Sequence, residues 1–84
     1  MAIDVESIGP GHRIEIYVKP GCPYCAQALA FYSGKGWPLE SYNAQDDATV
    51  KRRMLQLANG NPTTPAIVID GTYAQSGWGN PPRG

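Results

Sequence analysis

Neither sign of charge dominates this chain of 84 residues: seven Lys and Arg stand against seven Asp and Glu, for a net charge of zero. A nucleic-acid backbone or an anionic membrane as main partner demands clustered positive charge, so the balance argues against both. No apolar run approaches the ~20 residues that span a bilayer. The opening stretch MAIDVESIGPG carries Asp4 and Glu6 and lacks the basic-then-apolar order of a secretory signal. These absences predict a soluble, cytoplasmic protein. The chain length allows one small domain with a marginal core.

Histidine and cysteine are scarce as well. The chain has one His, His12, and two Cys, Cys22 and Cys25. Zinc takes four ligands, so a closed site would need a second chain or the scattered carboxylates, and no metal is expected. His12 reads as an exposed loop residue. The two cysteines stand three positions apart in KPGCPYCAQALAFY. In a cytosol, that spacing is more often catalytic or metal-binding than a structural staple.

The rest of the chain divides into short periodic segments. Residues 1–11 end in Gly-Pro-Gly and read as an N-terminal arm, with a short strand at Ile3 to Val5. In HRIEIYVK, residues Ile14, Ile16 and Val18 alternate onto one face of a strand, which Pro20 and Gly21 stop. Helical character starts at Cys22. Pro23 suits the first helical position, and Cys25, Ala28, Leu29 and Tyr32 recur at helical spacing. Ser33 and Gly34 are expected to end that helix, with Gly34 as its left-handed cap. WPLESYNA supplies a second strand at Leu39 to Asn43. QDDATVKRRMLQLANGN is a helix with Asp46 or Asp47 as N-cap, Gly60 as C-cap, and Val50, Met54, Leu57 and Ala58 facing inward. The Lys51-Arg52-Arg53 run is its solvated face. Ala66 to Ile69 form a continuous apolar run, as in a strand buried on both faces. Asp70-Gly71 is a two-residue hairpin turn, so TYAQS returns antiparallel.

The predicted order is β-α-β-α-β-β: a mixed four-stranded sheet with packed helices, the thioredoxin-like architecture of the α/β class. A domain over 12–77 would follow the arm, and 78–84 would form a tail. Cys22 falls where a strand gives way to a helix N-terminus, whose free N–H groups and positive dipole end favour an anion. A thiol there ionises more easily and becomes a nucleophile towards disulfides, and Cys25, one turn in, resolves the mixed disulfide. Lys19 either adds positive potential or is simply exposed. Pro65 opens a strand, where proline is tolerated. It is either punctuation or the site of a cis bond, a form taken by only ~5–6% of X–Pro bonds.

With CPYC at 22–25 and TTPAIVIDG at 63–71, the chain resembles a glutaredoxin from about Arg13 to Gly77. KPGCPYC is similar to that family's Lys-Pro-x-Cys-Pro-Tyr-Cys site, and Thr64-Pro65 to its Thr-Val-Pro segment. The resemblance implies a cis Pro65 and glutathione as co-substrate, its sulfur at Cys22. Lys19 would meet a glutathione carboxylate, Tyr24 would line the groove, and Thr64 would pair through its backbone. Trp37 and Tyr42 would be packing residues. Ser76-Gly77 stand where glutaredoxins carry Gly-Gly, but Trp78 and Gly79 replace the two acids that follow in the family. Seven residues follow Gly77, so the family's final helix is not expected, and Trp78, the arm or a second chain would cover that face of the sheet. SGWGNPP also resembles the tail of glutaredoxin-like redoxins that serve ribonucleotide reductase and are reduced by thioredoxin reductase.

The expected activity is thus thiol–disulfide exchange through Cys22 and Cys25. Its partners would be glutathione, disulfide-containing proteins and a reductase system, acting on a monomer or weak dimer. Two alternatives follow from the same resemblance: a redoxin reduced by thioredoxin reductase, and a dimer that binds an iron–sulfur cluster through Cys22 and glutathione. A further reading makes the pair an inert structural bridge.

Overall fold

The computed structural model describes residues 4–79 and 81–84. Six elements appear in the expected order: β1 (Ile14–Val18), α1 (Pro23–Lys35), β2 (Leu39–Asn43), α2 (Ala48–Leu57), β3 (Ala66–Ile69) and β4 (Thr72–Ser76). The four strands form one mixed sheet in the order β2-β1-β3-β4. β1 and β2 run parallel, joined through α1, while β3 is antiparallel to both β1 and β4. Asp70 and Gly71 turn the β3–β4 hairpin with φ of 51° and 80°. That pair of left-handed residues matches the right-handed twist of the flanking strands. The strand expected at Ile3 to Val5 lies partly outside the described residues, and Asp4 and Val5 are not in a strand.

Side chains alternate across a strand, so β1 and β3 present two faces. Ile14, Ile16, Ile67 and Ile69 gather on one of them with Ala28 and Tyr32 of α1. Tyr17, Ala66 and Val68 gather on the other with Met54 of α2 and Ala44. The two helices therefore cover opposite sides of the sheet, and the central strands are buried on both.

That second cover corrects the reading of β1 as one buried face. Glu15 is only 2% exposed. A buried carboxylate must be paired. Arg13 Nη2 stands 3.1 Å from Glu15 Oε1, Arg53 Nη2 of α2 stands 3.5 Å from Oε2, and the Tyr17 hydroxyl donates to Oε2 at 3.4 Å. Arg53, one member of the run assigned to solvent, thus ties α2 to the sheet.

The helix ends shift slightly from expectation. α1 runs past Gly34 to Lys35, and Gly36 is its left-handed cap at φ 70°, donating its N–H to the Ser33 carbonyl at 3.1 Å. Lys35 stays helical with its Nζ 5.4 Å from the centre of the Phe31 ring and 5.9 Å from that of Trp37. α2 starts on Asp47, whose carboxylate accepts the N–H groups of Thr49 and Val50. It is capped at Ala58, with the left-handed Gly60 two residues beyond. Val50 and Leu57 are half-buried beside the fully buried Met54 and Ala58.

Two distant segments complete the α1 face. Val5 and Trp78 are 5% and 7% exposed and belong to that core. The Tyr32 hydroxyl donates to the Val5 carbonyl at 2.7 Å, and the Trp78 ring lies 5.3 Å from Phe31 and 5.5 Å from Tyr32. Trp37 packs edge-on against Phe31, and Tyr42 stacks on Tyr17. Among the described residues no helix follows β4, and none of the helices is long and apolar enough to cross a membrane.

Candidate active site

β1 ends at Val18, and the chain turns through Pro20 and Gly21 to deliver Cys22 as the N-cap of α1. Pro23 has no N–H to offer, so the next free donors of the helix turn towards the cap. The Cys25 N–H donates to Cys22 Sγ at 3.2 Å. No acidic residue occupies the first turn of α1 to neutralise the positive helix end.

Thr64, 42 positions along the chain, completes the surroundings of that sulfur. Its hydroxyl donates to Cys22 Sγ at 3.8 Å, and its carbonyl oxygen lies 3.9 Å from the same atom. The Thr64–Pro65 bond is cis, as the resemblance implied. The Pro65 carbonyl accepts the Gly77 N–H at 2.7 Å, which fixes the end of β4 against this segment.

The two thiols are tuned in opposite directions. Burial pushes the Cys22 thiol up, but hydrogen bonds from Cys25 and Thr64, with the Lys19 charge, outweigh it and bring the thiol below its ordinary value. Burial pushes Cys25 up, and its hydrogen bond to Cys22 adds to that. Both sulfurs are free. Cys22 is 7% exposed and Cys25 3%.

Two clefts beside the thiols share Lys19. One, about 290 Å³, is walled by Val18, Pro20, Cys22, Cys25 and Leu29. The other, about 250 Å³, runs between Lys19, Gln45, Lys51, Pro62 and Thr64. Lys51, exposed like Arg52 and Arg53 beside it, faces the Thr64 side of the site. Sequence reasoning missed Gln45, Lys51 and Pro62. The available signal was the phase of α2 set by its Asp47 cap, but which side of the sheet α2 covers was not readable.

The remaining candidates scatter. Lys19 is exposed at the mouth of both clefts. Pro65 is fully buried beside Thr64. Tyr24 is half-buried, packs against the α1-side core and borders neither cleft. The Ser76 hydroxyl is 2.6 Å from that of Tyr73, and Gly77 is buried against Pro65. His12 is exposed and paired with Asp70 at the other end of β1. Hydrogen bonds from His12 and from the Arg13 N–H hold the Asp70 carboxyl below its usual range. Among the described residues no group of three His, Cys, Asp or Glu could hold a metal ion.

Comparison with known proteins agrees with this geometry. Residues 14–74 match the family described as Glutaredoxin. The chain is 38% identical over 58 residues to the probable glutaredoxin ssr2061 of Synechocystis, covering 69% of this chain and 66% of that protein, just under two thirds of its length. It is 35% identical over 61 residues to glutaredoxin 3 of Escherichia coli K12, covering 73% of this chain and 72% of that one. Among solved structures, the thioredoxin-like protein BC3987 superposes with a TM-score of 0.70 at 29% identity, over 81% of this chain and 90% of that one. The chain belongs to the glutaredoxin family and has its thioredoxin-like fold. Glutaredoxins are thiol–disulfide oxidoreductases, and the pair at Cys22 and Cys25 fits that chemistry.

Proposed function

We propose that this protein is a glutathione-linked oxidoreductase that reduces protein disulfides and glutathione-mixed disulfides through Cys22 and Cys25. The observation that carries the reading is the placing of the two thiols: Cys22 caps α1 with its sulfur accepting the Cys25 N–H at 3.2 Å and the Thr64 hydroxyl at 3.8 Å, and Cys25 lies buried one turn in, an arrangement that lowers the outer thiol and raises the inner one. A lowered thiol supplies a thiolate near neutral pH, and a raised one keeps its proton until it is needed.

The reaction balances as a two-electron exchange. The Cys22 thiolate attacks one sulfur of the substrate disulfide, so a Cys22–substrate bond forms as the substrate S–S bond breaks. The departing substrate thiolate takes up a proton. Cys25 then gives up its proton and attacks Cys22 Sγ, releasing the second substrate thiol and leaving a Cys22–Cys25 disulfide. Two glutathione thiols return the electrons and leave as oxidised glutathione.

Glutathione suits the cleft beside Thr64. Lys19 and Lys51 flank it, and each can receive a carboxylate of a peptide-sized anion. Of the residues that the family resemblance assigns to glutathione, Lys19 and Thr64 line this cleft; Pro65 follows Thr64 beside it, while Tyr24, Ser76 and Gly77 would have to meet the ligand beyond the cleft. The working partners are glutathione, disulfide-bearing proteins and a glutathione-recycling reductase. The compartment is the cytoplasm, where thiols stay reduced.

The test is a choice of reductant. NADPH consumption is followed with glutathione and glutathione reductase, and separately with thioredoxin reductase. Turnover is expected with glutathione; turnover with thioredoxin reductase alone would overturn the glutathione link. Cys25→Ser should keep reactions that pass through a glutathione-mixed disulfide and lose dithiol reduction of proteins. Loss of both would remove the monothiol route.

A further inference from the structure

After β4 the chain doubles back. The Trp78 N–H donates to the Arg83 carbonyl at 2.7 Å, and the Arg83 N–H returns to the Trp78 carbonyl at 3.0 Å, an isolated antiparallel bridge. This return lies flush on the site. A Cβ on Gly77 would stand 2.8 Å from the Arg83 nitrogen. One on Gly84 would stand 2.5 Å from Thr63 Cγ2 and run into the Thr64 carbonyl oxygen. That carbonyl is the one 3.9 Å from Cys22 Sγ.

A disulfide lined up on Cys22 carries its own backbone past Thr64, because the attacked sulfur is only two bonds from a Cα. Arg83 and Gly84 already occupy that stretch of main chain. We propose that residues 81–84 are a strap that fills the Thr64–Trp78 end of the substrate groove, so that a disulfide-bearing peptide gains this end only by displacing it. The inference rests on the proposed exchange at Cys22. The strap is a specificity element: any ligand that pairs along the Thr64 main chain, glutathione included, has to displace it, whereas one held from the Lys19 side alone does not. Its residues are exposed and its latch among the described bonds is one pair, so it opens without unfolding the sheet.

Two substitutions open it by different means. Arg83→Pro removes the N–H that Trp78 accepts, and Gly84→Val drives a side chain into the Thr64 carbonyl. Pre-reduced protein is mixed with excess of a short disulfide-bonded peptide, and formation of the Cys22–Cys25 disulfide is followed in a single turnover against peptide concentration. Both variants should reach half-saturation at a concentration lower by about fivefold, with the limiting rate unchanged. Trp78 amide exchange, which reports the latch, should quicken. Faster exchange with an unchanged or higher half-saturation would overturn the strap. So would unchanged exchange in both variants, since the segment would then not be separable from the fold. Absence of any oxidation, in wild type and variants alike, would instead remove the exchange reaction itself.

Discussion

Cys22 and Cys25 differ in their thiol chemistry because one caps α1 and the other lies inside it. The Cys22 sulfur receives the Cys25 N–H and the Thr64 hydroxyl, whereas Cys25 is held protonated by burial. Alkylation of Cys22 by iodoacetamide should therefore show its pH inflection below the ~8.5 of a free thiol, and that of Cys25 above it. Lys19→Gln should move the Cys22 inflection upward, since the lysine charge is one of the causes that lower it. An unmoved inflection would reduce Lys19 to an exposed strand-end residue. The same tuning has a sign in folding. A lowered Cys22 adds stability that is present above the unfolded thiol value and lost as pH falls through the folded one. A raised Cys25 adds stability that is present below the unfolded value and lost as pH rises through the folded one. The thiol contribution to the melting temperature of the reduced protein should peak near pH ~8.5. Subtracting the profile of the Cys22→Ser, Cys25→Ser double variant isolates it, and a flat difference would contradict the opposed tuning.

The helices are set by their ends. In α1, two glycines two positions apart compete for the stop, and local pattern chose Gly34. The structure uses Gly36 because Lys35 prolongs the helix onto the Phe31 and Trp37 rings, a contact that lies outside helix propensity. In α2, a start at Asp46 or Asp47 was legible from acidic residues before a helical pattern, and the structure uses Asp47. That cap does more than begin a helix. It sets the phase that sends Met54 into the core, Arg53 to Glu15 and Lys51 to the Thr64 cleft. Asp47→Ala leaves two N–H groups without their carboxylate and should cost about 1 kcal/mol. Urea denaturation measures this as a lower midpoint at unchanged slope. A fall in slope would mean that α2 melts separately from the sheet.

At the scale of the molecule, the α1 face of the sheet is closed by Val5 and Trp78, one from each side of the six elements. The part of the chain read as a loose arm contributes a buried side chain and accepts the Tyr32 hydroxyl bond. Burial there holds the Tyr32 phenol well above its usual range, with Glu6 and Asp4 adding to the effect. Trp78 meets Phe31 and Tyr32 in a single aromatic cluster. Truncating a buried Trp to Ala costs ~3–5 kcal/mol, against a total of ~5–15 for a typical domain. Trp78→Ala should accordingly lower the urea midpoint more than any other single change named here. A loss under about 1 kcal/mol would show that the aromatic cluster is not part of the cooperative core.

By itself the sequence determined what neighbouring residues can settle. A period of two marked the strands, Pro23 after Cys22 marked a helix start, and Asp70-Gly71 marked a hairpin. These signals act within a few positions along the chain, where sterics and caps decide the outcome. Tertiary structure decided what depends on which surfaces meet. It buried Glu15 by laying α2 over the second face of β1, and it turned Lys51 towards the cleft at Thr64. It brought Thr64 to Cys22 across 42 positions and laid Gly84 against the same threonine. No local pattern encodes such pairings, because each is fixed only when distant apolar surfaces exclude water together.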